Sequence, residues 1–300
     1  MTFQEGGQFE GGRVQSRRGG GGGGRGIAVG GGVGGLVVVA LVVLLNGGGV
    51  GDVLNAVGGA AGGGGGVEQS TELGACTAEQ ANTQRDCRLS ATLQALDAYW
   101  PTALAGTAAA DLPVPEAVEF QEGTQSACGP ASASTGPFYC PPDQTIYLDL
   151  GFYDLLASRF GAQDGPLAEI YVTAHEYGHH VQNVLGTFDA ADRSGTGASS
   201  DSVRLELQAD CYAGMFVGDA ATTVDPDTGV TFLEPVTTQQ LQDALGAAAA
   251  VGDDHIQAQS GGVDPHTWTH GSSEQRQRWF TVGYEQGSLQ ACDTFAVQTP

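Results

Sequence analysis

The chain has 300 residues, 34 acids against 11 basic residues and a formal charge of −23. It contains no lysine, and four of its arginines (Arg13, Arg17, Arg18, Arg25) fall in the first 25 positions, which leaves everything beyond them at −25. A surface that acidic repels phosphate backbones and anionic lipid headgroups, which excludes a nucleic-acid-binding role and a peripheral protein held by a basic patch. Glycine divides the sequence as sharply: 27 of 49 glycines lie in residues 1–66, a stretch too poor in side chains to be an ordinary packed domain.

In chain order, residues 1–25 read as a disordered, arginine- and glycine-containing tail. Residues 26–46 follow as a transmembrane helix: from Gly26 to Leu45 there is no charge, and 20 residues at about 1.5 Å each span a hydrocarbon core of about 30 Å. A cleaved signal peptide has a shorter apolar core and a small-residue cleavage site, which is not evident here. Arginines before the stretch and only acids in the residues just after it place the N-terminus in the cytoplasm and the rest of the chain outside, as a single-pass membrane protein. Residues 47–74 read as a Gly-rich linker, and 75–300 as one domain.

All six cysteines (Cys76, Cys87, Cys128, Cys140, Cys211, Cys292) lie beyond the apolar stretch, and an even count on the exported side favours disulfides. Pairing by proximity gives Cys76–Cys87 and Cys128–Cys140 and leaves Cys211 with Cys292. The domain reads as α+β and helix-dominated. Helical periodicity runs over Ala78–Trp100 and stops at Pro101; Gln144–Leu150 is a β-branched and aromatic run and predicts a strand. Helices are predicted over Gly151–Phe160, Pro166–Leu185, Asp201–Asp219, Thr238–Val251 and Ser272–Gln286, with a polar loop at 187–200.

His175-Glu176-Tyr177-Gly178-His179 is an HExxH. Two histidines four apart on a helix share one face, so both imidazoles can reach one tetrahedral zinc, and Glu176 is placed to take a proton from a water beside the metal. A hydrolytic zinc site needs a third protein ligand; Glu206, on the next helix, is the candidate, since a buried carboxylate without a cation is costly. Asp210, one turn on, can accept a hydrogen bond from a ligand imidazole and fix its tautomer. His180 points about 100° from His179 and reads as a core or rim residue. His255 and His266 carry no spacing signal, and Asp253-Asp254 reads as a helix C-terminal turn in preference to a calcium contact.

With HEYGHHVQ at 175–182, RLELQADCYAG at 204–214 and THGSSEQRQRWF at 269–280, the chain resembles the putative neutral zinc metallopeptidase family of bacterial membrane-anchored proteins, over about residues 75–297 and in its N-terminal architecture. The resemblance implies a zincin-like domain with His175, His179 and Glu206 as Zn2+ ligands and Glu176 as the catalytic base. It further implies a basic group from a later segment that stabilises the oxyanion; His270 is the candidate, with a structural contact at the following helix start as the alternative. Arg276 is placed to pair with Asp210 or with Glu206. The expected function is hydrolysis of peptide or protein substrates, with the short strand Thr145–Leu150 offering its edge to an extended chain. A non-enzymatic module with a structural zinc, closed by His180 or His270, and a cell-wall amidase using the same site are the rivals.

Overall fold

The computed structural model describes residues 3–18, 69–121, 123–132, 135–162, 165–259 and 261–300. In chain order the strands and helices are β1 (Gln8–Phe9), β2 (Gln15–Arg18), β3 (Gln69–Glu72), β4 (Cys76–Thr77), α1 (Ala78–Thr83), α2 (Arg85–Ala103), β5 (Glu116–Gln121), β6 (Gly123–Ser126), β7 (Gly129–Ser132), β8 (Phe138–Cys140), β9 (Thr145–Asp149), α3 (Phe152–Phe160), α4 (Pro166–Val184), α5 (Thr187–Ala190), α6 (Asp201–Asp219), α7 (Thr238–Ala250), α8 (Asp253–Ala258) and α9 (Ser273–Gln286). The α+β, helix-rich character expected from the sequence holds.

The predicted helix over 78–100 is two helices. Thr77 and Gln80 form a reciprocal capping box that starts α1, and Gln84 is extended (φ −119°, ψ 130°), which breaks the run before α2 begins. Pro101 lies inside the last turn of α2, so that helix runs three residues past the expected stop. Helices α4, α6 and α9 start and end within a residue of their predicted bounds, each with a local reason. Pro166 occupies the first turn of α4, the Ser200 hydroxyl accepts from the Val203 N–H ahead of α6, and Ser272 with Gln275 caps α9.

A mixed five-stranded sheet runs in the order β3-β2-β5-β9-β8, with β2, β5 and β9 mutually parallel and the two edge strands antiparallel. Every residue of β9 is buried, and the strand is paired with β5 on one side and β8 on the other. The expectation that Thr145–Leu150 offers a free edge to substrate is therefore corrected: its backbone groups are already used in two ladders.

The largest correction concerns the N-terminus. Residues 3–18 do not stand apart as a tail. β1 pairs with β4, β2 lies between β3 and β5 in the sheet, and Phe3 bridges to Leu233. Phe3, Phe9 and Val14 are buried in the main core, with the Phe9 ring between Phe3 (centroids 5.2 Å) and Phe232 (6.3 Å). Burying each such side chain stabilises by roughly 1.5–3 kcal/mol, which together with the strand pairing opposes the entropy of ordering the segment. β3 likewise falls within the expected 47–74 linker. The expected transmembrane helix at 26–46 and residues 47–68 of that linker lie outside the described residues. No helix among the described residues is long and apolar enough to cross a membrane.

The three disulfides join Cys76 to Cys87, Cys128 to Cys140 and Cys211 to Cys292, the pairing expected from proximity. The last ties α6 to the C-terminal segment and indicates an extracytoplasmic domain. α6 and α9 cross at glycines: a Cβ on Gly283 would stand 1.9 Å from the Cys211 carbonyl oxygen, and one on Gly214 2.0 Å from that of Phe280. Only glycine permits that approach, which brings α9 within reach of the acids on α6.

Candidate metal centre

α4 and α6 cross where Gly178 meets Ala209; a Cβ on Gly178 would lie 3.2 Å from the Ala209 Cα and carbonyl oxygen. The small residue inside the HExxH and the alanine of the Glu-x-x-Ala-Asp run thus set the helix separation that brings histidines and carboxylates together. His175 Nε2 lies 3.2 Å from one Glu206 oxygen and His179 Nε2 3.5 Å from the other. One ligand atom from each of the three residues falls within 4.8 Å of the other two. Ligands about 2.1 Å from a tetrahedral zinc stand about 3.4 Å from one another, so the three side chains fit that ion in both donor type and spacing.

Each imidazole is held from behind. His175 Nδ1 bonds to Asp210 Oδ1 at 2.8 Å, and Asp210 also accepts from the Tyr171 hydroxyl (2.6 Å), Arg276 Nε (2.7 Å) and Arg276 Nη2 (2.9 Å). A carboxylate can only accept, so this contact puts a proton on His175 Nδ1 and turns Nε2, the atom a metal would take, toward Glu206. His179 Nδ1 bonds to Gln182 Oε1 at 2.8 Å. The Gln182 amide is itself fixed, donating to the Leu205 carbonyl (2.8 Å) and to Gln208 Oε1 (3.0 Å), and Gln208 donates to the Cys292 carbonyl at 3.1 Å. Of the two partners open to Arg276, Asp210 is the one it takes.

The charges follow from this packing. Burial opposes ionisation of Glu206, but His179, His175 and His270 outweigh it and hold the carboxyl well below its usual range. Burial disfavours a charged His175, yet Asp210 pushes its pKa up to about 10, so the pocket attracts positive charge onto that ring. Glu176 is shifted the other way: buried, with no hydrogen-bond partner among the described residues, it is pushed above the ordinary carboxylate range by desolvation.

His270 approaches from the segment before α9. Its Nδ1 lies 3.1 Å from Asp253 Oδ1, and the backbone N–H groups of Thr269, His270 and Gly271 all donate to Asp253 Oδ2 (2.8, 2.7 and 3.0 Å). Burial lowers its pKa, but Asp253 and Glu206 prevail and raise it. Asp253 opens α8, so the expected C-terminal turn at Asp253-Asp254 is corrected to a helix N-terminus, with Asp254 Oδ1 accepting from Ser273 N–H at 2.7 Å. His180 is fully buried, its Nδ1 on the Tyr139 hydroxyl (2.9 Å) and its Nε2 on the Pro113 carbonyl (2.6 Å). It is a core residue with both ring nitrogens used, which removes it as a fourth ligand. The His255 ring bonds to the Phe160 carbonyl at 3.1 Å, and His266 is exposed.

Sequence reasoning passed over Tyr171, Gln182, Gln208 and Asp253. Tyr171 and Gln182 were within reach of a spacing rule, being four residues before one histidine and three after the other on the same helix face. Asp253 carried no such signal, because it meets His270 only through the tertiary fold.

The family sequence model for putative neutral zinc metallopeptidases matches residues 1–295. The chain belongs to that family. It is 49% identical over 227 residues to uncharacterized protein Rv2575 of Mycobacterium tuberculosis and, to the same degree, to uncharacterized protein Mb2605 of Mycobacterium bovis, with 75% of this chain and 76% of each relative covered. It is 42% identical over 187 residues to uncharacterized protein YpfJ of Escherichia coli, covering 60% of this chain and 61% of that protein. No solved structure matches it.

Proposed function

We propose that this chain is a membrane-attached, exported zinc peptidase that hydrolyses peptide bonds. The observation that carries the proposal is the convergence of His175, His179 and Glu206 from two helices at zinc-ligand spacing, with Glu176 buried beside them and in no hydrogen bond among the described residues. The three side chains would hold Zn2+, which when bound polarises the scissile carbonyl and lowers the pKa of a bound water to about 7.

The protein's own groups supply the rest. Glu176 is the general base: desolvation raises its affinity for a proton toward the working pH, so it can take one from the attacking water and return it to the leaving amine. His270, aimed by the Asp253 carboxylate and carrying a raised pKa, donates a hydrogen bond from Nε2 to the oxyanion of the tetrahedral intermediate. Asp210 orients His175, and Arg276 holds the Asp210 carboxyl ionised behind that ring.

The test uses the full chain, because residues 3–18 are part of the fold. Elemental analysis of wild type should find one zinc per chain, lost in Glu206→Ala. Glu176→Gln should keep the zinc and lose hydrolysis of a peptide library by a factor of at least about 100. Zinc-free wild type with all three disulfides formed defeats the proposal, and full activity in the Glu176→Gln protein defeats the role given to that residue.

A further inference from the structure

The strands at the N-terminus set a topological condition on the chain. β2 is hydrogen-bonded to β3 in the register Gln15↔Glu72, Ser16↔Thr71, Arg17↔Ser70 and Arg18↔Gln69, and on its other side to β5. The stretch from 19 to 68 therefore leaves the sheet and returns to it at adjacent strands. Strands that pair lie on one side of a bilayer, so a chain in this fold crosses between residues 18 and 69 an even number of times. The sequence there offers one apolar stretch of crossing length, Gly26–Leu45, which allows one crossing and no more. The even number is then zero.

The seat of the N-terminal segment is built for it. Gly11 passes so close to residues 73–75 that a Cβ there would stand 2.9 Å from the Ala75 nitrogen. The Ser16 hydroxyl donates to the buried Glu119 carboxylate at 2.6 Å, and the Asn82 side chain exchanges two hydrogen bonds with the Phe3 backbone (2.7 and 3.1 Å). Arg13 Nε binds Asp97 Oδ2 at 2.7 Å, and the other Asp97 oxygen accepts from the Tyr177 hydroxyl at 2.9 Å. Tyr177 is the residue after Glu176 on the zinc-site helix, so the segment reaches that helix through a single aspartate. The family match begins at residue 1, which counts these residues within the unit the relatives share.

We infer that residues 3–18 are an arm of the metal-site domain and lie on the same side of the membrane as it, so the arginine-bearing N-terminus is not cytoplasmic. The single-crossing, cytoplasmic-N-terminus topology that the charge pattern predicts is thereby replaced. The inference stands on strand pairing and does not depend on the peptidase proposal.

The experiment uses the full chain expressed in bacterial cells with an N-terminal epitope tag and the double substitution Arg17→Cys/Ser70→Cys. All six native cysteines are in disulfides, so the two introduced thiols have only each other as partners. Two readouts are taken. Protease added outside intact spheroplasts should remove the tag, and non-reducing peptide mapping should find positions 17 and 70 joined in most chains beside the three native disulfides. A tag that stays protected until the membrane is permeabilised overturns the shared side. A removable tag with thiols at 17 and 70 that remain separate and reactive overturns the docked arm. Either pattern is readable whether or not the protein hydrolyses any peptide.

Discussion

The two histidines of the metal centre face the same carboxylate, yet they are held from behind in opposite ways. His175 rests on a buried ionic cluster, Asp210 with Arg276 and Tyr171; His179 rests on a neutral amide relay, Gln182 to Gln208 to the Cys292 carbonyl. A full negative charge behind an imidazole makes it a stronger donor to a cation, while an amide fixes its direction with little change in basicity. The charged side also carries the greater risk, because a buried ion that loses its partner is costly in a way that a buried amide is not. The site thus has one candidate ligand tuned for strength and one for geometry.

The sharpest way to break this comparison is at the charged side. Asp210→Asn removes the counter-charge of the Arg276 guanidinium and one of its two acceptor oxygens, leaving a buried cation without an anion, so the protein should lose about 3–5 kcal/mol of stability. Zinc affinity should fall about 10–100-fold as well. Denaturant titration and a competition assay with a zinc chelator measure the two effects on one preparation. A loss under about 1 kcal/mol would mean that the cluster is not the strong element described here. The double variant Asp210→Asn/Arg276→Met, which removes both charges, should recover much of the stability and none of the zinc affinity.

Acid provides the next test. Asp210 titrates below its ordinary value of 3.8 in the fold, so its contribution to stability is complete above that value and is lost as pH falls through the lower folded one. The melting temperature of the metal-free chain should fall between pH 5 and pH 2, and the Asp210→Asn protein should show a flatter dependence over that range. Equal slopes in the two proteins would assign acid sensitivity to other carboxylates.

The neutral side should yield less. Gln182→Leu leaves the Leu205 carbonyl and the His179 Nδ1–H without partners, a cost of about 1–3 kcal/mol, and lets the ring turn. Zinc affinity should drop about 10-fold, the low end of the range for such supporting contacts. Gln182→Glu, which keeps an acceptor for Nδ1 and adds charge, should restore zinc affinity without restoring stability, since its carboxylate then faces the Leu205 oxygen. If the leucine variant loses as much zinc affinity as Asp210→Asn, the distinction between strength and geometry fails.

What could be read from the sequence follows the same division. HExxH and Glu-x-x-Ala-Asp are compact patterns on helices, where side chains three and four apart share a face; that is why α4, α6, the ligand candidates and Asp210 were placed before any fold was known. The disulfides were legible because each of two pairs is close in sequence, which left a single remainder. The sheet was not. β5 reads EAVEFQ and is buried on both faces, so it lacks the alternation that marks a half-exposed strand, and Glu119 interrupts its apolar run. β2 reads QSRR and resembles a basic tail because its fate depends on partners roughly 50 and 100 residues away. Asp253 and Gln208 act through contacts of the same long-range kind.

Glu119 allows the smallest prediction, and it extends the contrast between charged and neutral support to the N-terminal arm. Burial pushes its pKa above the ordinary 4.5, and one of its carboxylate oxygens has no hydrogen-bond partner among the described residues, although Ser16 donates to the other. A group whose folded pKa is raised contributes stability that is complete below its unfolded value and lost as pH rises through the folded one. Above the unfolded value the arm is therefore seated on a carboxyl whose ionised form burial penalises, and Glu119→Gln, which keeps an acceptor for Ser16 and removes that penalty, should raise the melting temperature at pH 7 by about 2–4 °C. At pH 4, where the carboxyl is largely protonated already, the two proteins should melt together. A rise of the same size at both pH values would mean that the gain comes from the amide's hydrogen bonds, and a fall at pH 7 would mean that Arg18, not desolvation, governs this carboxylate.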